Sequence, residues 1–270
     1  MRPARIGCSL MGSSQVTADC RLKRGRTANR AATAIILLVT AAACDKPSDD
    51  SFPADKLISQ LKQVSDNAEI GEAHETPIQG LIGVKVGGGN VVYGTADGRY
   101  IVAGDLFALE PSGLVNLTER LRTADRKAVV DALDPATTIT YAPDDVNAVI
   151  TVFTDVSCWF CRELHAHIGQ LLSEGIEVRY AAFPRTGIGS GVHTEMVSVW
   201  CADDRQEALT KAKLGESVAA LDCNGHPVDD HYRLGRAAGI TGTPGILLPD
   251  GRYIAGFTTV GELLADVATD

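Results

Sequence analysis

The chain is 270 residues long, with 45% hydrophobic and 22% charged residues and a formal net charge of −9. That length suffices for a sizeable core and more than one domain. Seven Lys/Arg and one Asp fall in the first 43 residues, so the remainder carries about −15; this excludes phosphate-backbone and anionic-membrane binding, which need clustered basic side chains, and no nucleic-acid partner is expected.

Residues 1–43 read as a signal peptide. Basic Arg21, Lys23, Arg24, Arg26 and Arg30 precede an apolar run, Ala31 to Ala43, too short to span a bilayer. Ala41-Ala42-Ala43-Cys44 fits a small-residue cleavage site and also a lipobox, though without the customary Leu three residues before the cysteine. A lone thiol at a processed N-terminus in an oxidising compartment is a liability, which favours lipidation of Cys44.

Residues 44–116 form the expected N-terminal domain. After a polar tether at 45–52, Pro53 to Val64 has helical apolar spacing, and strand-like runs follow at Ile78–Val86, Asn90–Thr95 and Arg99–Ala103. Gly87-Gly88-Gly89-Asn90 and Asp97-Gly98 carry hairpin chemistry; a phosphate cradle would need a following helix with Lys-Ser/Thr, which is missing. A unit this small with an open sheet edge is marginal alone, so it is expected to dimerise. Residues 117–137 read as a semi-rigid linker helix, LTERLRTADRKAVVDAL, stopped by Asp134-Pro135.

Residues 138–270 carry the chemistry. An apolar β-branched strand, 148–154, runs into Cys158-Trp159-Phe160-Cys161 and a helix from Arg162 to Leu172. Two cysteines three apart lie one helical turn from each other, close enough to bridge. Cys158 at the helix N-terminus meets unpaired N–H groups that favour a thiolate and is the expected nucleophile; Cys161, one turn in, is the expected resolving thiol. Lowering a thiol's pKa raises its thiolate fraction and lowers its nucleophilicity per thiolate, so the lasting gain is a better leaving group. Ile176–Phe183 reads as another strand, 190–239 as a helical insertion, Gly245–Leu248 and Tyr253–Phe257 as a hairpin, and Val260 to Ala268 as a closing helix. The order strand, CxxC, helix, X-Pro, hairpin, helix is that of a thioredoxin fold, within an α+β chain. There Thr243-Pro244 would be held cis against the CxxC and offer Thr243 backbone groups to a substrate strand.

Asp155 reads as a buried hydrogen-bond partner in preference to a proton acceptor for Cys161. His165 and His167 read as solvated helix residues, with His165 also placed to tune the thiolate. A Cys2His2 zinc site is the competing reading, but His167 is out of phase with the other three, so no metal and no cofactor are expected. Cys201 and Cys223 enclose about twenty residues and read as a structural disulfide pinning the insertion; a second redox pair is the alternative.

The blocks VITVFTDVSCWFCRELH at 149–165, VRYAAFPRTG at 178–187, VWCADD at 199–204, SVAALDC at 217–223 and DHYRLGRAAGITGTPGILLPDGRYIAGF at 230–257 resemble the DsbC-type periplasmic thiol:disulfide interchange proteins. The resemblance implies a cystatin-like N-terminal domain, a V-shaped homodimer with an uncharged cleft, misfolded disulfide-containing clients and chaperone character. It also implies re-reduction by a membrane reductase of the DsbD type. Carried over by position, it makes Cys158 the nucleophile, Cys161 its partner, Thr243-Pro244 the cis-proline loop and Cys201–Cys223 the structural bond. Trp159-Phe160 replaces the family's usual Gly-Tyr and so bears on redox tuning, and tethering through Cys44 departs from the soluble form. The rival readings are a DsbG-like reductase of oxidised single cysteines and a redox-silent holdase.

Overall fold

A computed structural model describes residues 54–64 and 69–269; the leader and Cys44 lie outside them. Helix α1 (Ala54–Val64) buries Ala54 and Leu57. It covers an antiparallel sheet of β1 (Ile70–Glu75), β2 (Leu81–Val86), β3 (Asn90–Thr95) and β4 (Ile101–Ala103), paired in chain order. Leu57 packs with Ile82 and Val84, and a methyl group at Gly94 would sit 2.5 Å from the Leu57 side chain, so glycine lets the helix reach the sheet.

The expected strand at 78–86 starts only at Leu81, because Gly80 (φ +79°) closes a turn whose Leu81 N–H donates to Ile78 O. Strand β1 pairs with β2, although its polar sequence IGEAHE carries no strand pattern. A second hairpin, β5 (Phe107–Glu110) and β6 (Gly113–Asn116), is equally unannounced, each strand being four residues long.

Helix α2 (Leu117–Ala132) starts where Asn116 Oδ1 accepts from Glu119 N at 2.9 Å. It is clamped, not a free linker. On one side Tyr93 Oη meets the buried Thr118 Oγ1 at 2.5 Å, and Lys85 pairs with Asp125 at 2.6 Å. On the other, Arg126 pairs with Glu119, donates from Nε to Ala238 O at 3.2 Å and lies 4.8 Å above the Tyr253 ring. The β2–β3 turn also reaches across: a methyl group at Gly89 would lie 2.5 Å from Gly239 Cα. The glycine run is therefore a hairpin turn with a docking role.

A 3-10 turn at Pro135–Thr137 leads into β7 (Ile139–Tyr141), β8 (Ala148–Thr154), α3 (Trp159–Ala166), α4 (Ile168–Ser173) and β9 (Ile176–Ala182). Then come α5 (Gly191–Trp200), α6 (Arg205–Leu214), α7 (Val228–Ala237), β10 (Gly245–Leu247), β11 (Tyr253–Ala255) and α8 (Val260–Val267). The sheet order is β11-β10-β8-β9-β7, with β8 and β9 parallel and the other pairs antiparallel. Alternation on the central strands feeds two cores: Ile150, Val152, Val178 and Tyr180 join one, Phe153, Ala181 and Phe183 the other. The single helix expected from Arg162 to Leu172 instead starts at Trp159 and breaks at His167, two residues before Gly169, a weak helix former.

Candidate functional site

Strand β8 delivers the chain into the middle of the sheet and stops at Thr154, where Asp155 turns it. The buried Asp155 carboxylate accepts from Ser157 N at 2.7 Å and Ser157 Oγ at 2.6 Å, and from Arg185 N at 2.9 Å and Arg185 Nε at 3.2 Å. Burial pushes its pKa up, but the Ser157 and Arg185 hydrogen bonds outweigh this and hold it below the ordinary carboxylate range. Its oxygens are thus committed to shaping the turn.

Cys158 is the N-cap of α3, with extended backbone (φ −79°, ψ 122°). The Cys161 thiol and the Cys161 backbone N–H, at the N3 position of the helix, both favour the ionised form of its sulfur. The Cys161 thiol contributes most; with Thr243 and the Arg185 charge it outweighs partial desolvation and brings Cys158 down to about 5. Cys161 goes the opposite way, raised first by burial and then because its proton is shared with Cys158. Both are free thiols.

The Thr243-Pro244 peptide is cis. Thr243 O lies 3.2 Å from Cys158 Sγ. The Thr243 hydroxyl is buried without a hydrogen-bond partner, and its presence beside Cys158 favours the ionised sulfur. Pro244 O accepts from Gly256 N at 2.9 Å, and the next residue opens β10, so the sheet fixes this loop against the cysteines.

Trp159, 63% exposed, and Phe160 project outward with ring centroids 5.2 Å apart; Phe160 stacks on Phe257 at 6.4 Å. His165 is not the solvated residue expected. It is buried, with Nδ1 3.1 Å from Tyr180 Oη and Nε2 3.1 Å from Thr210 Oγ1. Burial, aided by the Lys213 charge, takes its pKa down to about 4, so at neutral pH it is an uncharged packing group held by Tyr180 and Thr210. His167 is exposed. Among the described residues no group of three or more His, Cys, Asp or Glu is placed to hold a metal ion. Cys201, the C-cap of α5, is bonded to Cys223 with Cα atoms 5.7 Å apart.

The structure adds Arg185, Thr154, Lys213 and Phe257 to the neighbourhood. Arg185 and Phe257 fall in stretches already singled out, whereas Lys213 sits in a helix whose sequence, RQEALTKAKL, looks solvated.

A thioredoxin-like domain profile matches residues 135–268 and a disulfide bond isomerase protein N-terminal domain profile matches residues 41–119. The thiol:disulfide interchange protein DsbC of Salmonella typhimurium strain LT2 is 36% identical over 194 residues, 72% of this chain and 79% of that protein. The protein of that name from Escherichia coli K12 is 35% identical over 187 residues, 69% and 76% of the two chains. The crystal structure of a disulfide interchange protein from Neisseria gonorrhoeae covers 50% of this chain and 96% of its own at 24% identity, with a TM-score of 0.45.

Proposed function

The chain belongs to the DsbC family of thiol:disulfide interchange proteins, and from that premise we propose that it rearranges incorrect disulfides in client proteins through Cys158 and Cys161. The observation carrying this reading is the Cys158 sulfur at a helix N-terminus, its thiol donating to the cis-proline loop carbonyl Thr243 O at 3.2 Å, with its pKa brought down to about 5.

The Cys158 thiolate attacks one sulfur of a client disulfide, and the other client sulfur leaves with the bond's electron pair. A displaced client thiolate can then attack a different client sulfur and, finally, the mixed disulfide, releasing Cys158; the net result is isomerisation. Alternatively, Cys161 attacks Cys158, leaving the client reduced and the pair oxidised. A thiolate with a pKa near 5 is a weaker nucleophile than an ordinary one but a better leaving group, and a Brønsted slope of about 0.4–0.5 makes the two effects on attack roughly cancel. What remains is fast release, which suits shuffling. Thr243 O lies where a client strand's N–H can pair with it, and the Trp159, Phe160 and Phe257 rings give an apolar, chaperone-like footing for unfolded segments.

The reading extends to a homodimer through the N-terminal sheet, where Tyr100, Ile101 and Val102 stand exposed on β4 and just before it. It extends also to the periplasm, to re-reduction by a DsbD-type membrane partner and to a lipid on Cys44. Mass spectrometry of the mature N-terminus tests the last; an unmodified Cys44 excludes it. Refolding of a substrate with scrambled disulfides tests the activity: Cys158→Ala is expected to abolish reactivation, and full activity in that variant would leave only a holdase.

A further inference from the structure

Lys213 is a cation in an unexpected place. It belongs to the last turn of α6, yet only 3% of it is exposed. Its Nζ lies 2.7 Å from Thr154 Oγ1 and 5.5 Å from the centroid of the Tyr180 ring. The charged and titratable groups facing it are Asp155 from the end of β8, Cys158, Cys161, Arg162 and His165 from α3, and Tyr180 from β9. Asp155, the one carboxylate among them, is already bound by Ser157 and Arg185. An ammonium is costly to bury without a counter-charge, and the acidic groups left to answer it are the two thiols.

Thr154 connects the amine to them. Its hydroxyl also favours the ionised form of the Cys161 sulfur, so Thr154 stands between the Lys213 amine, 2.7 Å away, and the buried cysteine. We propose that Lys213 is a positioning residue for the resolving half of interchange: through the Thr154 hydroxyl it takes up the Cys161 proton and stabilises the thiolate that attacks Cys158. This rests on the roles given to Cys158 and Cys161 above.

Once Cys158 is bonded to a client sulfur, it no longer offers Cys161 a negative acceptor, and Cys161 must lose its proton to react. Thr154 passes its hydroxyl proton to Nζ and receives the Cys161 proton. The Cys161 thiolate attacks Cys158 Sγ, the Cys158–Cys161 bond forms, and the Cys158–client bond breaks. The client sulfur leaves with the electron pair and takes a proton from water. The two electrons gained by the client are those lost by the dithiol. Burial brings Lys213 down to about 8, so a neutral amine able to accept the proton is within reach near neutral pH.

With Cys8, Cys20 and Cys44 replaced by serine and the Cys201–Cys223 bond intact, the full-length protein with its catalytic pair reduced gives two releases of thionitrobenzoate with excess dithionitrobenzoate, one as Cys158 attacks and one as Cys161 displaces the label. In the native protein the second phase should quicken with pH and level off near 8. Lys213→Met, which removes a buried charge while keeping chain length, should fold at least as stably. It should slow the second phase about 100-fold at neutral pH, the lower range for a positioned proton acceptor, erase the levelling near pH 8 and leave the first phase within about twofold. Thr154→Val should do the same with Lys213 in place. A second phase of native rate and pH profile in either variant overturns the relay. Loss of the first phase from the native protein would instead overturn the role of Cys158.

Discussion

The two sheets of this chain bury themselves to very different degrees. The catalytic sheet is covered on both faces, and Trp200, Tyr180 and Phe153 are completely enclosed. The N-terminal sheet has a core of Ala54, Leu57, Ile82 and Val84, while β4 is exposed throughout and Leu109 on the neighbouring hairpin is 90% exposed. One region encloses its apolar side chains; the other leaves them open, and apolar area of that kind favours association.

Four measurements would break or sharpen that contrast. Leu209→Ala, in the enclosed core, should cost about 4 kcal/mol in urea unfolding, whereas Leu57→Ala in the small core should cost about 2 kcal/mol, because thin surroundings relax into the space; equal losses would mean the N-terminal core is as tightly built. Removing the Cys201–Cys223 bond with paired alanines should cost about 3 kcal/mol for a loop of that length while leaving reactivity of Cys158 unchanged. If reactivity falls with it, the bond is a second redox element. Val102→Lys on the open edge should weaken self-association roughly 100-fold by sedimentation equilibrium, with no effect on the catalytic thiols; an intact dimer would place the interface elsewhere.

The smallest effect is pH-dependent and falls on the catalytic side. His165 and His231 are both held neutral by burial, with pKa values near 4. Below the unfolded value of about 6.5 the unfolded chain binds protons that the folded chain refuses, so stability falls with falling pH between about 6.5 and 4. Between pH 7 and 5.5 each histidine should contribute about 1 kcal/mol of that loss. His165→Gln should remove about half of their joint slope in urea titrations at the two pH values. An unchanged slope would mean that His165 takes up a proton while folded.

The placement of Cys158 and Cys161 at a helix start, the cis Thr243-Pro244 peptide and the Cys201–Cys223 bond were readable because each is a short pattern tied to local geometry: a strand feeding a helix, an X-Pro before a hairpin, two cysteines about twenty residues apart. Strands β1, β5, β6 and β7 were not, since short edge strands with few apolar residues are fixed by their partners and not by their own pattern. His165 was misread and Lys213 passed over for a related reason: each lies on a mixed-polarity helix, and only the packing of α6 against α3 and the sheet decides that those faces are inside.

Arg126 bears on how this molecule can be cut and reused. It lies in the helix that looks like a spacer, yet it fills a slot against Ala238 and Tyr253 and is tied to Glu119 on its own helix. An engineer transplanting the redox half onto another scaffold would find no clean seam at residues 117–137. A splice after that helix leaves a vacant polar notch on the donor piece, so the portable cassette must begin ahead of Leu117 and carry the whole helix with it.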